Sequence, residues 1–291
     1  MTDDLTATTV LVLGAGAMGA AVATAALAAG VSPDRLLVLN QSPESSARAA
    51  KKVGGTSAYD AAPASASGAD AAQQGAEVRD WAVAQADVVI LGVKPYQLAS
   101  VLPPVAESLG EDTLVLSLAA GATLERLQGL LGGRAAVVRA MPNTPVAVGA
   151  GVVALMAPPG LERSFLDLAR ALVEDSADVI EIDEAHVHAE IAAAGSAPAF
   201  FFLVAEAMID EAVAQGLRRD DATAMVVQTM LGSARLLKEG GQLPAEARYQ
   251  VTSPGGTTAR GVAALESSGI RAAFARAMRE TAERSRELES Q

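Results

Sequence analysis

The residue types best suited to chemistry lie in two short stretches. Gly14-Ala15-Gly16-Ala17-Met18-Gly19 is a G-x-G-x-x-G turn, and Ser253-Pro254-Gly255-Gly256-Thr257-Thr258 sets two glycines among three hydroxyls. Glycines let backbone N–H groups approach an anion closely, and a helix that starts there adds positive potential. The first stretch predicts a dinucleotide site at Gly14, Gly16, Ala17, Met18 and Gly19, provided a strand precedes it and a helix follows. A turn that only packs is the alternative. The second predicts a site for a small carboxylate, with Ser253, Thr257 and Thr258 as further donors. A plain N-cap by Ser or Thr is the alternative there.

What is missing narrows the chemistry. The 291 residues include no Cys and only two His. Thiolate nucleophiles, disulfides, iron–sulfur ligation and thiolate metal sites are excluded. His186 and His188 are two apart in a helical segment, so they point to different faces and cannot chelate one metal as an i, i+4 pair could. No acid/His cluster has ligand spacing, and no G-x-S-x-G elbow is present. No metal site is expected. An enzyme built from these residues would borrow its reactivity from a cofactor.

The elements needed to position both stretches can be read along the chain. Residues 8–13 and 36–39 are short apolar runs that predict strands on either side of a helix reaching Ala29, which makes one βαβ unit. Strands are also predicted over 87–93, 113–118, 136–139, 152–156 and 178–182, with helices over 96–109 and 123–131 among them. This alternation predicts an α/β, Rossmann-type parallel sheet covered on both faces, occupying residues 1–183. From 184 to 291 helical pattern dominates, with Pro198 marking a kink or the first turn of a new helix. An all-α second domain follows. Its helices are more apolar than one small bundle needs, so pairing with a second copy is expected. Residues 61–76 are low in complexity and read as a surface insertion.

The strand ends discriminate between cofactors. NAD sites usually carry an acid after the second strand to bind the ribose hydroxyls. Here Asn40-Gln41-Ser42 stands instead, which favours NADPH while leaving NADH possible. Arg48 and Lys51 follow, either assisting or forming a solvated helix face. Val93-Lys94-Pro95, Ala119-Ala120-Gly121 and the stretch Met141 to Pro145, which holds Asn143, all follow strands and so share the ligand edge. Lys94 could be a base, a phosphate contact or a loop lysine.

Composition sets the remaining bounds. Hydrophobic residues make up 51% and charged residues 19%, which is globular. The net charge of −12 argues against nucleic acid or anionic membrane as a partner. No apolar run is read as approaching the ~20 residues of a bilayer span, and the acidic start lacks a basic signal region. A cytoplasmic protein is expected.

In order, these segments resemble the pyrroline-5-carboxylate reductase family over nearly the whole chain. The glycine turn, Val93-Lys94-Pro95, Ser117 to Gly121, Met141 to Pro145, Gly195 to Phe200 and Val251 to Thr258 carry the likeness. The resemblance implies a C-terminal domain that interlocks with a second subunit. It also implies hydride transfer from NADPH to the cyclic imine of 1-pyrroline-5-carboxylate, giving L-proline. Thr258 would contact the ring nitrogen as the catalytic residue. Gly256 and Thr257 would hold the carboxylate near Ser253, Val251 would line the ring pocket, Glu184 would lie near substrate and Gln250 beside the cofactor. Departures are Gln41 where Arg is common, Ala194 and Ala197 for Ser and Gly, and Phe200 for Tyr. The 61–76 stretch is atypical and expected to lie away from the site. The competing readings are another two-domain NADP-dependent dehydrogenase or imine reductase, and a non-enzymatic NADP-binding paralogue. A β-hydroxyacid dehydrogenase would place a catalytic Lys after the first domain, where only Lys238 is found.

Overall fold

A computed structural model describes residues 5–63 and 71–289. In chain order the strands are β1 (Val10–Leu13), β2 (Leu36–Leu39), β3 (Thr56–Ser57), β4 (Val88–Leu91), β5 (Leu114–Ser117), β6 (Ala136–Pro142), β7 (Gly151–Met156) and β8 (Ala177–Glu181). The helices of the same region are α1 (Ala17–Ala28), α2 (Pro43–Val53), α3 (Ala58–Ala61), α4 (Ala71–Ala84), α5 (Leu98–Ser108), α6 (Leu124–Leu130), α7 (Arg163–Ala171) and α8 (Val187–Glu190). After them come α9 (Ala197–Ala214), α10 (Arg219–Gly240), α11 (Pro244–Gln250), α12 (Thr257–Ser267) and α13 (Ile270–Glu289).

The eight strands form one sheet in the order β3-β2-β1-β4-β5-β6-β7-β8. Alternate side chains leave opposite faces of each strand. Leu11, Leu13, Leu37, Leu39, Val89 and Leu91 pack with α4, α5 and α6 on one side. Val10, Val12, Leu36, Val38, Val88 and Ile90 pack with α1, α2 and α7 on the other. Burial on both faces explains why these strands are unbroken apolar runs rather than alternating ones. One junction, β6 to β7, is antiparallel. Its short connection contains only the one-turn helix Thr144–Val148, too little chain for a crossover, so a hairpin-like return results. The two-residue β3 was not expected from the sequence.

The chain divides into two compact units. The first holds the described residues up to Gly195 and those from Ala282 onward; the second is Ser196–Thr281. These units divide the chain differently from the expected 183/184 boundary, for a physical reason. Glu184 and Glu289 both bond the guanidinium of Arg139, and His188 Nδ1 lies 2.9 Å from Ser285 Oγ. These contacts hold residues 184–195 and the end of α13 in the first unit.

In the second unit, Ala197, Ala222 and Val226 are the buried hydrophobics. Phe201, Phe202, Leu203, Met225 and Leu236 are all more than half exposed. A π-helical turn, Ile191–Gly195, precedes α9, and Pro198 sits in the first turn of α9. Because Pro there costs no hydrogen bond, the helical stretch Glu184–Ala214 runs on for 31 residues, and an 18-residue window within it has a mean hydropathy of 1.6. It is long and apolar enough to cross a bilayer. The expectation that no run approaches that length is thereby corrected; splitting the run at Pro198 had hidden it.

Candidate active site

In the sheet, β1 has β2 on one side and β4 on the other, so strand order reverses between β1 and β4. The crevice outside the carboxyl ends of strands at such a point is where ligands bind. A cleft of about 610 Å³ opens there. Gly14, Gly16, Asn40, Gln41, Val93 and Lys94 line it, six of the residues expected from the sequence.

The turn is built by close backbone contact. Gly14 has φ +88°, and a Cβ on it would meet the carbonyl carbon of Gly92 at 2.9 Å. A Cβ on Gly19 would meet the Gly14 carbonyl oxygen at 2.5 Å, and one on Gly92 would strike the same oxygen. Gly16 differs, because a Cβ there would meet nothing within 4 Å. Gly14 and Gly19 thus serve tight packing, while Gly16 leaves open space. Gly16 is also the N-cap of α1 and has no side-chain cap, so the first-turn N–H groups are left for a ligand. These features fit a dinucleotide pyrophosphate. Gly92 was not singled out from the sequence, although it immediately precedes Val93-Lys94-Pro95, because it read as one more residue of the strand.

Asn40 and Ser42 have other duties. Asn40 Oδ1 accepts from the Ala15 N–H at 2.8 Å, and its Nδ2 donates to the Ser45 carbonyl at 3.1 Å. The side chain pins the glycine turn to the start of α2. Ser42 is the N-cap of α2, its Oγ accepting from the Ser45 N–H. Gln41 is exposed at the cleft. Arg48 and Lys51 lie exposed on α2 and do not line the cleft.

The 61–76 stretch is the largest correction. Residues 64–70 lie outside the described residues. Ala61 ends α3, and 71–76 open α4, whose Ala72, Gly75, Ala76 and Arg79 line the cleft. The segment therefore borders the site instead of lying away from it. Its Ala-rich composition looked featureless, yet Ala is the best helix former.

Other expected residues fall elsewhere. Ala17, Met18 and Gly19 form the first turn of α1, and Pro95 begins a short 3₁₀ turn. Ala119, Ala120 and Gly121 follow β5, with the Gly121 backbone near Leu288. Asn143 is buried; its Oδ1 accepts from the Val152 N–H and its Nδ2 donates to the Ala194 carbonyl. Glu184 Oε1 accepts from the Leu124 N–H at the start of α6 and from Arg139, both at 2.8 Å. Arg139 is only 1% exposed and also reaches Glu289 at 3.0 Å. This ion network carried no local signal, because its members are far apart in the chain. Nearby, both carboxylate oxygens of Glu190 are buried without a hydrogen bond among the described residues. Burial pushes that carboxyl up to about 7, with Arg139 opposing.

In the second unit, α12 starts at Thr257 with Gly256 as its N-cap and no side-chain cap bond. The Ser or Thr cap weighed from the sequence is absent. Gly255 has φ +70°, and the Gly256 N–H donates to the Ser253 carbonyl. Ser253, Thr257 and Thr258 are exposed, as are Val251 and Gln250. Among the described residues no group of three or more His, Asp or Glu could hold a metal ion.

Known proteins match this arrangement. The family described as pyrroline-5-carboxylate reductase dimerisation matches residues 184–288, and that described as NADP oxidoreductase, coenzyme F420-dependent, matches 9–121. A pyrroline-5-carboxylate reductase of Corynebacterium melassecola is 35% identical, covering 97% of this chain and 98% of the relative. That of Escherichia coli is also 35% identical, over 95% of this chain and 96% of its own. The solved structure of a pyrroline-5-carboxylate reductase from Coxiella burnetii superposes with a TM-score of 0.83 at 32% identity, covering 97% of this chain and 98% of that one. Matched along its whole length, and with a glycine cleft at the switch point of its sheet, the chain belongs to the pyrroline-5-carboxylate reductase family.

Proposed function

We propose that the protein reduces the cyclic imine of 1-pyrroline-5-carboxylate to L-proline with NADPH, as a homodimer or larger homo-oligomer in the cytoplasm. The observation that carries this reading is the uncapped start of α12, where glycine backbone and three exposed hydroxyls stand together. Such a start suits a small carboxylate that also carries a basic nitrogen.

NADPH supplies a hydride when bound, held by the N–H groups after Gly16 and by the cleft around Gly14, Val93 and Lys94. The backbone at Gly256 and Thr257 holds the substrate carboxylate, with the Ser253 hydroxyl beside it. Thr258 hydrogen-bonds the ring nitrogen, donating to the neutral imine and accepting from its protonated form. Hydride addition to the carbon of a protonated imine yields the neutral amine directly, so no strong acid is required. That accords with a chain holding no Cys and two His. Catalysis then rests on holding two reactants in register. Val251 and Gln250 complete the expected ring pocket and cofactor edge, and Glu184 acts at one remove by fixing α6 and Arg139. The apolar helices of the second unit, bare in a single chain, are covered by a second copy.

The deciding assay follows NADPH oxidation with and without pyrroline-5-carboxylate. Oxidation only with the imine supports the reading, and none despite cofactor binding overturns it. Thr258→Ala should lower turnover about 10- to 100-fold, the loss expected for one hydrogen bond to a charged group, with cofactor affinity unchanged. An unchanged rate removes Thr258 from its role.

A further inference from the structure

An NADP cofactor differs from NAD by one phosphate on the adenosine ribose, and the end of β2 holds no cation to meet it. Asn40 is committed through both amide atoms, Ser42 caps α2, and Gln41 is neutral. Among the residues lining the cleft, the cations are Arg79 and Lys94. Lys94 follows β4, beside Gly92 and the glycine turn. Arg79 stands on α4, which packs against both α3 and α5. A Cβ on Gly75 of α4 would meet the Tyr59 hydroxyl at 3.3 Å. Tyr59 belongs to α3, which packs against β2 and α2. The Tyr59 phenol is held above its ordinary pKa first by burial and then by the charge of Glu44, at the start of α2.

We propose that Arg79 is the cation that recognises the ribose phosphate and so sets the preference for NADPH over NADH. This rests on the cofactor reading given above and adds a residue to it. Arg79 is ready for the role. Its side chain is 26% exposed and is held by Asp80, whose Oδ1 accepts from Nε at 2.8 Å and Nη2 at 2.6 Å. A guanidinium has five N–H donors. Those two bonds fix its plane and leave Nη1 and the second Nη2 hydrogen free of Asp80, a pair of donors that can bind a phosphate bidentately. Asp80 is 46% exposed, so water screens its competing charge. Glu44, the other nearby carboxylate, is stabilised by its own N–H at the α2 start and by the Ser42 hydroxyl.

The test is calorimetric titration of the wild-type protein, Arg79→Ala and Arg79→Lys with NADPH and with NADH, in the absence of substrate. NADPH affinity should fall about 10- to 100-fold in Arg79→Ala, the weight of a charge-assisted contact. NADH affinity should stay the same, and Arg79→Lys should recover part of the loss. Equal weakening of both cofactors, as from lost stacking on adenine, overturns the assignment, and so does no weakening at all. If the wild-type protein binds neither cofactor, the reading of the cleft itself fails, which is a separate result.

Discussion

Glu190 offers a direct measurement of what the buried end of the first unit costs. Its carboxylate oxygens are buried without a hydrogen bond among the described residues, and burial raises its pKa from 4.5 to about 7. Below pH 4.5 the group is neutral whether the chain is folded or unfolded, so it has no effect. As pH rises through the window from 4.5 to about 7, the unfolded chain gives up this proton while the folded one keeps it. Stability falls across that window and is then level. At about 1.4 kcal/mol per pH unit the whole displacement would cost ~3.4 kcal/mol. Relaxation around the ionised carboxylate and the attraction of Arg139 lower that figure, so a loss of about 1–2 kcal/mol is the working expectation. Glu190→Gln keeps the shape and removes the titration. Guanidinium unfolding at pH 5 and pH 8, at one protein concentration, should show wild type losing that amount relative to Glu190→Gln. Both proteins retain His186 and His188, so histidine titration cancels in the difference. Identical pH dependence for the two proteins would refute the reasoning.

Three further outcomes are expected. Gly92→Ala places a Cβ against the Gly14 carbonyl; cofactor affinity measured by titration should fall by at least about tenfold, since the backbone must shift where phosphate binds. Arg139→Met strands Glu184 and Glu289 without their shared cation and should cost about 3 kcal/mol in chemical denaturation. Phe202→Asp, at a side chain 66% exposed in the single chain, should shift the protein towards monomer in analytical ultracentrifugation while leaving its helical circular dichroism in place.

The legible part of this molecule was the part written in local pattern. Strands β1, β2, β4 and β5 announce themselves as apolar runs because both of their faces are covered, and the glycine turn sits where β1 hands over to α1. The excess apolar surface of α9 and α10 was also visible, since no partner helix nearby in sequence could absorb it. The hidden part depends on distance along the chain. Arg139 and Glu289 are 150 residues apart, and no periodicity links them, so Glu184 read as a substrate contact rather than as their companion. Asn40 looked like a ribose donor because its bond to Ala15, 25 residues away, leaves no trace in composition. Residues 71–76 read as part of a featureless insertion because Ala and Gly give the start of α4 little amphipathic contrast, although small residues let it lie close over Tyr59.

The return of α13 to the first unit bears on the order in which the protein can be finished. Synthesis runs at about 5–20 residues per second. Arg139 therefore leaves the ribosome roughly 8–30 s before Glu289. Glu184 emerges 45 residues after Arg139, and from then until Glu289 follows, the guanidinium has only that one of the two carboxylates that hold it in the mature fold. The second unit, lying between them in sequence, is made in the meantime. The nascent nucleotide-binding unit thus waits with a half-neutralised cation at its heart, and its last seam closes only after the helices meant for a partner have emerged.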